Sequence, residues 1–196
     1  EAFSATDLEA SVLASSDHLH LTGQRSETAS ALITQADNHG CTMSFDPGRD
    51  TAMRVDTSLL NAVDLLFVNE PEADAIAAAT DVDPWNPTEQ VVVITQGGGG
   101  ATVRTPTGAL AHPGFDTEVV DTIGAGDAFT AGFLTVALQS GDTDTNTQLE
   151  LPTDPVSYRN ALAVANACGA ITAAAVTARV ELRWDDIREY LSSSVP

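Results

Sequence analysis

The stretch DTIGAGDAF, residues 121–129, places two glycines between two aspartates and leads into an apolar run. Gly124 and Gly126 allow a tight backbone turn that a ligand can approach closely. The apolar run predicts a helix over residues 126–139, and the free amides and positive dipole end at its start favour a bound anion. Asp127 lies in the first turn of this helix. Its carboxylate either stabilises the helix N-terminus or accepts a proton from a hydroxyl group held beside a phosphate.

Strand-like and helical segments alternate over the rest of the chain. We predict strands at residues 18–22, 41–45, 64–68, 91–95, 101–105 and 118–120, and helices at 26–39, 70–80, 126–139, 156–176 and 184–193. The glycines at 97–100 join two strands so closely that the strands must form an antiparallel hairpin. Repeated alternation of apolar strands and helices predicts one α/β domain over residues 1–196, with a mostly parallel sheet covered by helices.

Three polar segments follow predicted strands, where ligands bind in sheets of this kind. They are DPGR at 46–49, NEPE at 69–72 and TQGGGG at 95–100. Asn69 and Glu72 are three residues apart at a helix start, and could either orient magnesium-bound water or cap the helix. The glycines either let the phosphates or ribose of a nucleotide lie on the backbone, or form a flexible hairpin turn.

The charge balance is strongly acidic. The chain has 28 acidic and 8 basic residues, giving a formal charge of −20, and it contains no lysine. The absence of lysine excludes a Walker A lysine, a Schiff-base lysine and a Ser-Lys dyad. Because the acids are spread along the chain, the composition favours adaptation to concentrated salt over binding to cationic partners. Nucleic acid is not an expected partner, since binding to its backbone requires a basic surface.

Cysteine usage and hydropathy predict a cytoplasmic protein. Cys41 and Cys168 are far apart and neither belongs to a CxxC pair, so we expect neither a disulfide framework nor a zinc site. The uncharged segment 161–178 is rich in alanine and poor in large apolar residues. It therefore predicts a helix buried against the sheet rather than a membrane span.

The order of the motifs resembles that of the PfkB (ribokinase-like) carbohydrate kinases. DTIGAGD resembles the C-terminal signature of that family, SFDP its DPN-x-R strand end, NEPE its NxxE motif, and TQGGGGA its TxGxxGA nucleotide loop. The stretch ANACGA, 165–170, is similar to the helix that borders the adenine. The resemblance covers nearly the whole chain. It implies a ribokinase-like three-layer αβα sandwich with a mostly parallel central sheet.

The resemblance also implies roles for individual residues. Asp127 matches the catalytic base of the family. The other matches are Gly124, Ala125 and Gly126 in the anion hole, Thr95, Gly97, Gly100 and Asn166 at the nucleotide, Asn69 and Glu72 at magnesium, and Asp121 and Ile123 at a monovalent cation. ATP and Mg²⁺ are the implied cofactors, and K⁺ is a further candidate.

The implied reaction is ATP-dependent phosphorylation of a sugar hydroxyl by in-line transfer, of the ribokinase or 2-keto-3-deoxygluconate kinase type. The alternatives are a nucleoside kinase and a non-catalytic nucleotide-binding fragment. A homodimer is an option for the intact protein, because members often dimerise through a β-sheet lid.

The sequence departs from the family pattern at three places. Gly48 follows Asp-Pro where the family usually has Asn, and Thr177-Ala178-Arg179-Val180 replaces its GA-x-P loop. These differences affect the expected cation loop and adenine site. Family members also begin with a strand-rich region that carries the lid and the sugar-binding acid. Because residues 1–22 are similar to a mid-chain segment, we expect the N-terminal strands and the lid to be missing.

Overall fold

A computed structural model of the chain describes residues 4–52, 54–138, 151–176 and 180–193. Its centre is a six-stranded sheet whose spatial order follows the chain order. The strands are β1 (His18–Thr22), β2 (Thr42–Asp46), β3 (Leu65–Asn69), β4 (Val91–Thr95), β5 (Ala101–Thr105) and β6 (Gly108–His112). Strands β1 to β4 pair in parallel, and β5 and β6 add an antiparallel edge. The parallel arrangement brings the carboxyl ends of four strands to one edge of the sheet.

The described helices cover both faces of this sheet, as the α/β prediction requires. They are α1 (Ala10–Ala14), α2 (Ser26–Asp37), α3 (Gly48–Ala52), α4 (Thr57–Asn61), α5 (Glu70–Ala79), α6 (Ala125–Ala137), α7 (Arg159–Ala173) and α8 (Trp184–Ser193). On one face, Leu32 of α2 and Ile76 of α5 belong to the same core as Leu66 of β3. On the other face, Phe133 of α6 and Leu162 of α7 share a core with residues of β3 and β4.

Alanine and glycine let α6 and α7 pack closely. A Cβ atom added at Gly132 would lie 2.8 Å from the Sγ of Cys168, which is closer than real contacts allow. Both cysteines are free thiols and are buried. The helix predicted to be buried against the sheet is α7. Among the described residues, no helix has the length and apolar character that a membrane span requires.

The predicted strand at 118–120 is wrong. These residues form no regular strand, and the side chains of Val119 and Val120 are 58% and 53% exposed. The amides of Val120 and Asp121 instead donate to the carbonyl of Ala173 at the end of α7, at 2.8 and 3.1 Å. A helix terminus thus satisfies a backbone that has no neighbouring strand.

The other differences concern element bounds and one missing strand. The sequence did not predict β6, whose residues GALAH alternate only weakly in hydropathy. The predicted helix at 156–176 is divided, because a 3₁₀ turn at Pro155–Tyr158 precedes α7 and is capped by the Asp154 carboxylate. Residue 139 of the predicted helix and residues 141–150 of the acidic segment lie outside the described residues.

Candidate functional site

Helix α6 begins at the turn that the opening motif forms. Gly124, the N-cap, has a φ of 80°, a left-handed conformation that glycine adopts without a Cβ clash. The first backbone bond of the helix runs from the Ala128 amide to the Gly124 carbonyl at 2.9 Å. The amides of Gly126 and Asp127 precede that bond, so they belong to the set that a helix start leaves for an anion. Asp127 is exposed in this first turn, beside the start of the helix.

Carboxylates from three elements meet at the same edge of the sheet. The pKa of Asp46, at the end of β2, is raised to about 6, chiefly by burial and also by the charges of Glu72 and Asp127, against the lowering effect of the Gly48 amide. These Coulombic effects indicate that the three carboxyl groups lie in one region of the molecule. The sequence analysis placed Asp46 in a segment expected to lie near a ligand but assigned it no role, because its burial and its charged neighbours depend on the fold.

Asn69 and Glu72 form a reciprocal cap at the start of α5. The Oδ1 of Asn69 accepts from the Glu72 amide at 2.9 Å, and the Oε2 of Glu72 accepts from the Asn69 amide at 2.9 Å. The capping alternative is therefore present in the structure. It leaves the Oε1 of Glu72 outside the cap, in a buried side chain close to Asp46.

Asp46 and Glu72, which we call the carboxylate corner, have oxygen donors that fit Mg²⁺. Two carboxylates with like charge gain from a divalent cation between them, and Mg²⁺ prefers oxygen ligands and retains several waters. Over the described ranges, no group of three His, Cys, Asp or Glu side chains has the geometry to hold a metal ion. A magnesium ion here would therefore need water or phosphate oxygens to complete its coordination.

A cavity of about 280 Å³ lies between the β4–β5 hairpin, α6 and α7. Its walls include all four residues predicted to contact a nucleotide, together with two from the α6 start: Thr95, Gly97, Gly100, Asn166, Ala125 and Gly126. The structure thus brings the nucleotide loop and the anion-binding turn, about 25 residues apart in sequence, to one cavity. Their contacts with a nucleotide stay predictions.

Glycines give this cavity its shape. A Cβ atom added at Gly97, Gly98 or Gly126 would meet nothing within 4 Å, so the backbone at these positions is open to a ligand. Gly100 has the opposite role, because its φ is 90° and an added Cβ would lie 2.1 Å from the carbonyl oxygen of His112. Glycine at position 100 therefore lets the hairpin close against the end of β6. The open backbone fits the phosphates or ribose of a nucleotide.

Asn166 is buried in α7 and connects this helix to β6. Its Nδ2 lies 3.1 Å from the Nδ1 of His112 and donates to the carbonyl oxygen of His112 at 3.4 Å. The side chain therefore fixes the end of β6 as well as lining the cavity.

Asp121 and Ile123 shape the entry to the α6 turn. The Oδ1 of Asp121 accepts from the Ile123 amide at 3.0 Å, which forms a local turn. The exposed Ile123 side chain has no polar atom, so a role of this residue at a cation would involve its backbone carbonyl. Residues 177–179 of the expected cation loop lie outside the described residues.

Two histidines on β1 were not predicted as site residues. His18 and His20 lie on the sheet face that also carries Ser44 and Asp46, and both rings hydrogen-bond to Ser44. The charge of Asp127 acts on His20, so this ring lies near the start of α6. The signal in the sequence was the alternation HLHLT, which puts both histidines on one face.

The chain matches the sequence profile of the pfkB family carbohydrate kinases over residues 2–184. It belongs to that family. Over 198 aligned residues it is 38% identical to the ATP-dependent ribose-1-phosphate kinase of Halopiger xanaduensis, an alignment that covers 98% of this chain and 60% of the relative. The chain therefore spans less than two thirds of the length of this PfkB-family relative.

Solved structures of PfkB-type proteins have the same fold. The nucleoside kinase of Methanocaldococcus jannaschii, described as an archaeal member of the ribokinase family, aligns with a TM-score of 0.73 and 20% identity, covering 90% of this chain and 56% of that one. An Escherichia coli protein described as a ribokinase II, solved with ATP and Mg²⁺, aligns with a TM-score of 0.68 and 20% identity, covering 97% and 63%. The predicted ribokinase-like α/β fold is confirmed.

Proposed function

We propose that this PfkB-family chain carries the nucleotide site and the catalytic base of an ATP-dependent kinase that phosphorylates a hydroxyl group of a sugar. The observation that carries the proposal is the position of Asp127. It lies in the first turn of α6, directly after Gly126, which lines the cavity, and its charge acts on the carboxyl group of Asp46. In the proposal, a base in this position lies between a phosphate donor in the cavity and the acceptor.

Each part of the site has one role in the proposed transfer. The cavity holds the nucleotide, and the amides of Gly126 and Asp127 bind the oxygens of the transferring phosphoryl group as their charge develops. The Asp127 carboxylate takes the proton from the acceptor hydroxyl while the oxygen of that hydroxyl forms the new O–P bond. The bond from the terminal phosphorus to the bridging oxygen breaks in line with the attack, and ADP leaves.

Mg²⁺ would neutralise charge on the nucleotide phosphates. In the proposal, Glu72 and Asp46 hold its water shell from the protein side, and Asn69 fixes Glu72 through the cap. The backbone at Asp121 and Ile123 is the proposed place for K⁺, beside the turn that leads to the anion-binding amides.

The acceptor proposed is a pentose or a related sugar, since the Halopiger xanaduensis relative is named a ribose-1-phosphate kinase. A nucleoside is the second candidate, because the fold is also that of a nucleoside kinase. The third candidate, a nucleotide-binding module without transfer activity, predicts nucleotide binding and no turnover. The formal charge of −20 leaves small molecules, rather than nucleic acid, as the proposed partners.

The test is a coupled ADP-release assay in concentrated potassium chloride, with ribose 1-phosphate, ribose, fructose, 2-keto-3-deoxygluconate and adenosine as acceptors. Asp127→Asn should lower kcat by about 10²- to 10⁴-fold, because general-base catalysis contributes that much. Its affinity for ATP should stay close to that of the wild type, since the backbone amides remain. Glu118→Gln, which removes an exposed acid, is the matched control and should leave kcat unchanged. Full turnover by Asp127→Asn would contradict the assigned base.

A further inference from the structure

A line of hydrogen bonds crosses β1 and β2 on the side of the sheet that faces α6. The Nδ1 of His18 lies 2.7 Å from the Oγ1 of Thr42, and its Nε2 lies 2.8 Å from the Oγ of Ser44. The same Ser44 oxygen lies 2.8 Å from the Nδ1 of His20. Strand register produces this line, since His18 pairs with Thr42 and His20 with Ser44.

The bond from Thr42 to Asp17 assigns a direction to this line. The Thr42 hydroxyl donates to the carbonyl oxygen of Asp17 at 3.3 Å, and in that arrangement its oxygen accepts from the Nδ1–H of His18 at 2.7 Å. Burial, helped by the charge of His20, lowers the pKa of His18 to about 4, so the ring is neutral near pH 7. A neutral ring that is protonated at Nδ1 has an acceptor at Nε2, and the Ser44 hydroxyl donates to it.

The direction of the bond to Ser44 also determines which nitrogen of His20 carries the proton. Because the Ser44 hydrogen points to His18, the Ser44 oxygen accepts from the Nδ1–H of His20. Burial lowers the pKa of His20 against the raising effect of Asp127, so this ring also carries one proton near pH 7. In this direction of the line, His20 is the Nδ1–H tautomer and its Nε2 is an unprotonated acceptor. No described residue hydrogen-bonds to that atom.

The surroundings of His20 place its ring on the side of the sheet that carries the proposed base. The ring contacts Phe67 of β3 edge to face with centroids 5.9 Å apart, and Phe67 contacts Phe133 of α6 in the same way at 5.4 Å. The Coulombic effect of Asp127 on His20 requires the two side chains to be close. Asp46 follows Ser44 by two residues on the same face, and it also interacts with Asp127.

We propose that His20 is a binding residue of the acceptor subsite, whose Nε2 accepts a hydrogen bond from a sugar hydroxyl adjacent to the one that Asp127 deprotonates. His18 and Ser44 are positioning residues that hold the ring in the required tautomer. The proposal rests on the kinase function proposed above. It adds to that function a specific requirement: the acceptor has a second hydroxyl group near the one that is phosphorylated.

The kinetic test compares variants that change only this atom or its support. His20→Asn keeps a short amide near Ser44 but has no group at the Nε2 position, and it should raise the acceptor KM about three- to tenfold, the effect of one hydrogen bond. The KM for ATP should not change, and kcat should change little. His20→Gln, whose side-chain oxygen reaches the Nε2 position, should raise the acceptor KM less than His20→Asn. His39→Asn, at an exposed histidine, is the matched control and should change neither constant.

The second test reads the tautomer by ¹H–¹⁵N NMR of the side chains and does not depend on activity. His20 in the wild type should show a protonated Nδ1 at pH 7. Ser44→Ala removes the acceptor of that proton, so the ring should move to the Nε2–H form and the acceptor KM should rise.

These measurements separate the two proposals. An Nε2–H tautomer of His20 in the wild type would overturn this inference, and so would a KM within about twofold of the wild type for His20→Asn. Loss of turnover in Asp127→Asn alongside either result would leave the kinase function standing. Absence of turnover by the wild type with every acceptor would overturn both.

Discussion

One face of the sheet has two chemically different halves. Under α6 and α7, strands β3 and β4 present apolar side chains such as Phe67 and Val93, which are 2% and 0% exposed. On the same face, β1 and β2 present histidines and hydroxyl groups, joined by the hydrogen bonds of His18, His20 and Ser44. The boundary between the halves is the contact of His20 with Phe67, next to the start of α6.

The difference shows how the fold separates stability from chemistry. The apolar half gains its free energy from packing, which tolerates no loss of volume. In the polar half, the buried hydroxyl groups of Thr42 and Ser44 are hydrogen-bonded to the partly buried histidines. This half leaves one acceptor atom of His20 and the carboxylates of Asp46 and Asp127 for a ligand. Substitutions in the apolar half should therefore lower stability through lost packing, whereas those in the polar half should act through charges and hydrogen bonds.

The largest effect on stability is expected at Phe133. Its ring is fully buried and contacts Phe67, Phe129 and Tyr158 with centroids 5.4 to 6.5 Å apart. Phe133→Ala should lower the free energy of unfolding by about 3–5 kcal/mol, since it leaves a cavity in the core. Val119→Ala, at an exposed position, is the control and should change it by less than about 0.5 kcal/mol. Denaturant unfolding in concentrated salt measures both free energies. Equal small losses for the two variants would contradict the claim that packing around Phe133 stabilises the apolar half.

Local patterns predicted most of the apolar half. The bounds of β4 and β5 agree with the prediction, and those of β3 differ by one residue, because apolar runs that end in polar residues mark buried strands. The segment 118–120 has the same apolar character, yet it forms no strand, because its amides bond to the end of α7. That partner is 53 residues away in the sequence and leaves no local signal.

The polar half was predicted less well, since its hydrogen bonds depend on the register of the strands. Alternation places His18 and His20 on one face, but only the pairing of β1 with β2 brings both rings to Ser44. The raised pKa of Asp46 likewise depends on burial and on charges from α5 and α6. In contrast, the resemblance to the family named four residues that line the cavity, Thr95, Gly97, Gly100 and Asn166, because its motifs carry long-range information that local patterns lack.

A smaller effect, with a defined pH dependence, is expected at Asp46. Its pKa rises from an ordinary value of 3.8 to about 6 in the folded chain, chiefly through burial. Between these two values the folded state binds more protons than the unfolded state, so stability falls as the pH rises through this window. Asp46→Asn keeps an oxygen for the Gly48 amide and removes the charge. It should raise the free energy of unfolding by about 1–2 kcal/mol at pH 7 and leave it unchanged at pH 4.

The measurement is urea unfolding at pH 4 and pH 7 in buffer that contains EDTA. Adding Mg²⁺ at pH 7 should stabilise the wild type more than Asp46→Asn, because only the wild type retains both carboxylates of the corner. Glu118→Gln is again the matched control, since it removes one acid at an exposed position. A gain of equal size at both pH values would show that packing, rather than charge, limits stability at this corner.

The smallest effect is expected at Thr42, where the hydrogen-bond line begins. Thr42→Val keeps the shape of the side chain but leaves the Nδ1–H of His18 without its acceptor, so it should cost about 0.5–1.5 kcal/mol of stability. Thr102→Val on β5 removes a hydroxyl that bonds to Gln96 near the surface and should cost less. Side-chain NMR of Thr42→Val should also show His18 moving away from the Nδ1–H form. If both valine variants lose equal stability and His18 keeps its tautomer, then Thr42 does not set the direction of the line, and the polar half is held by burial alone.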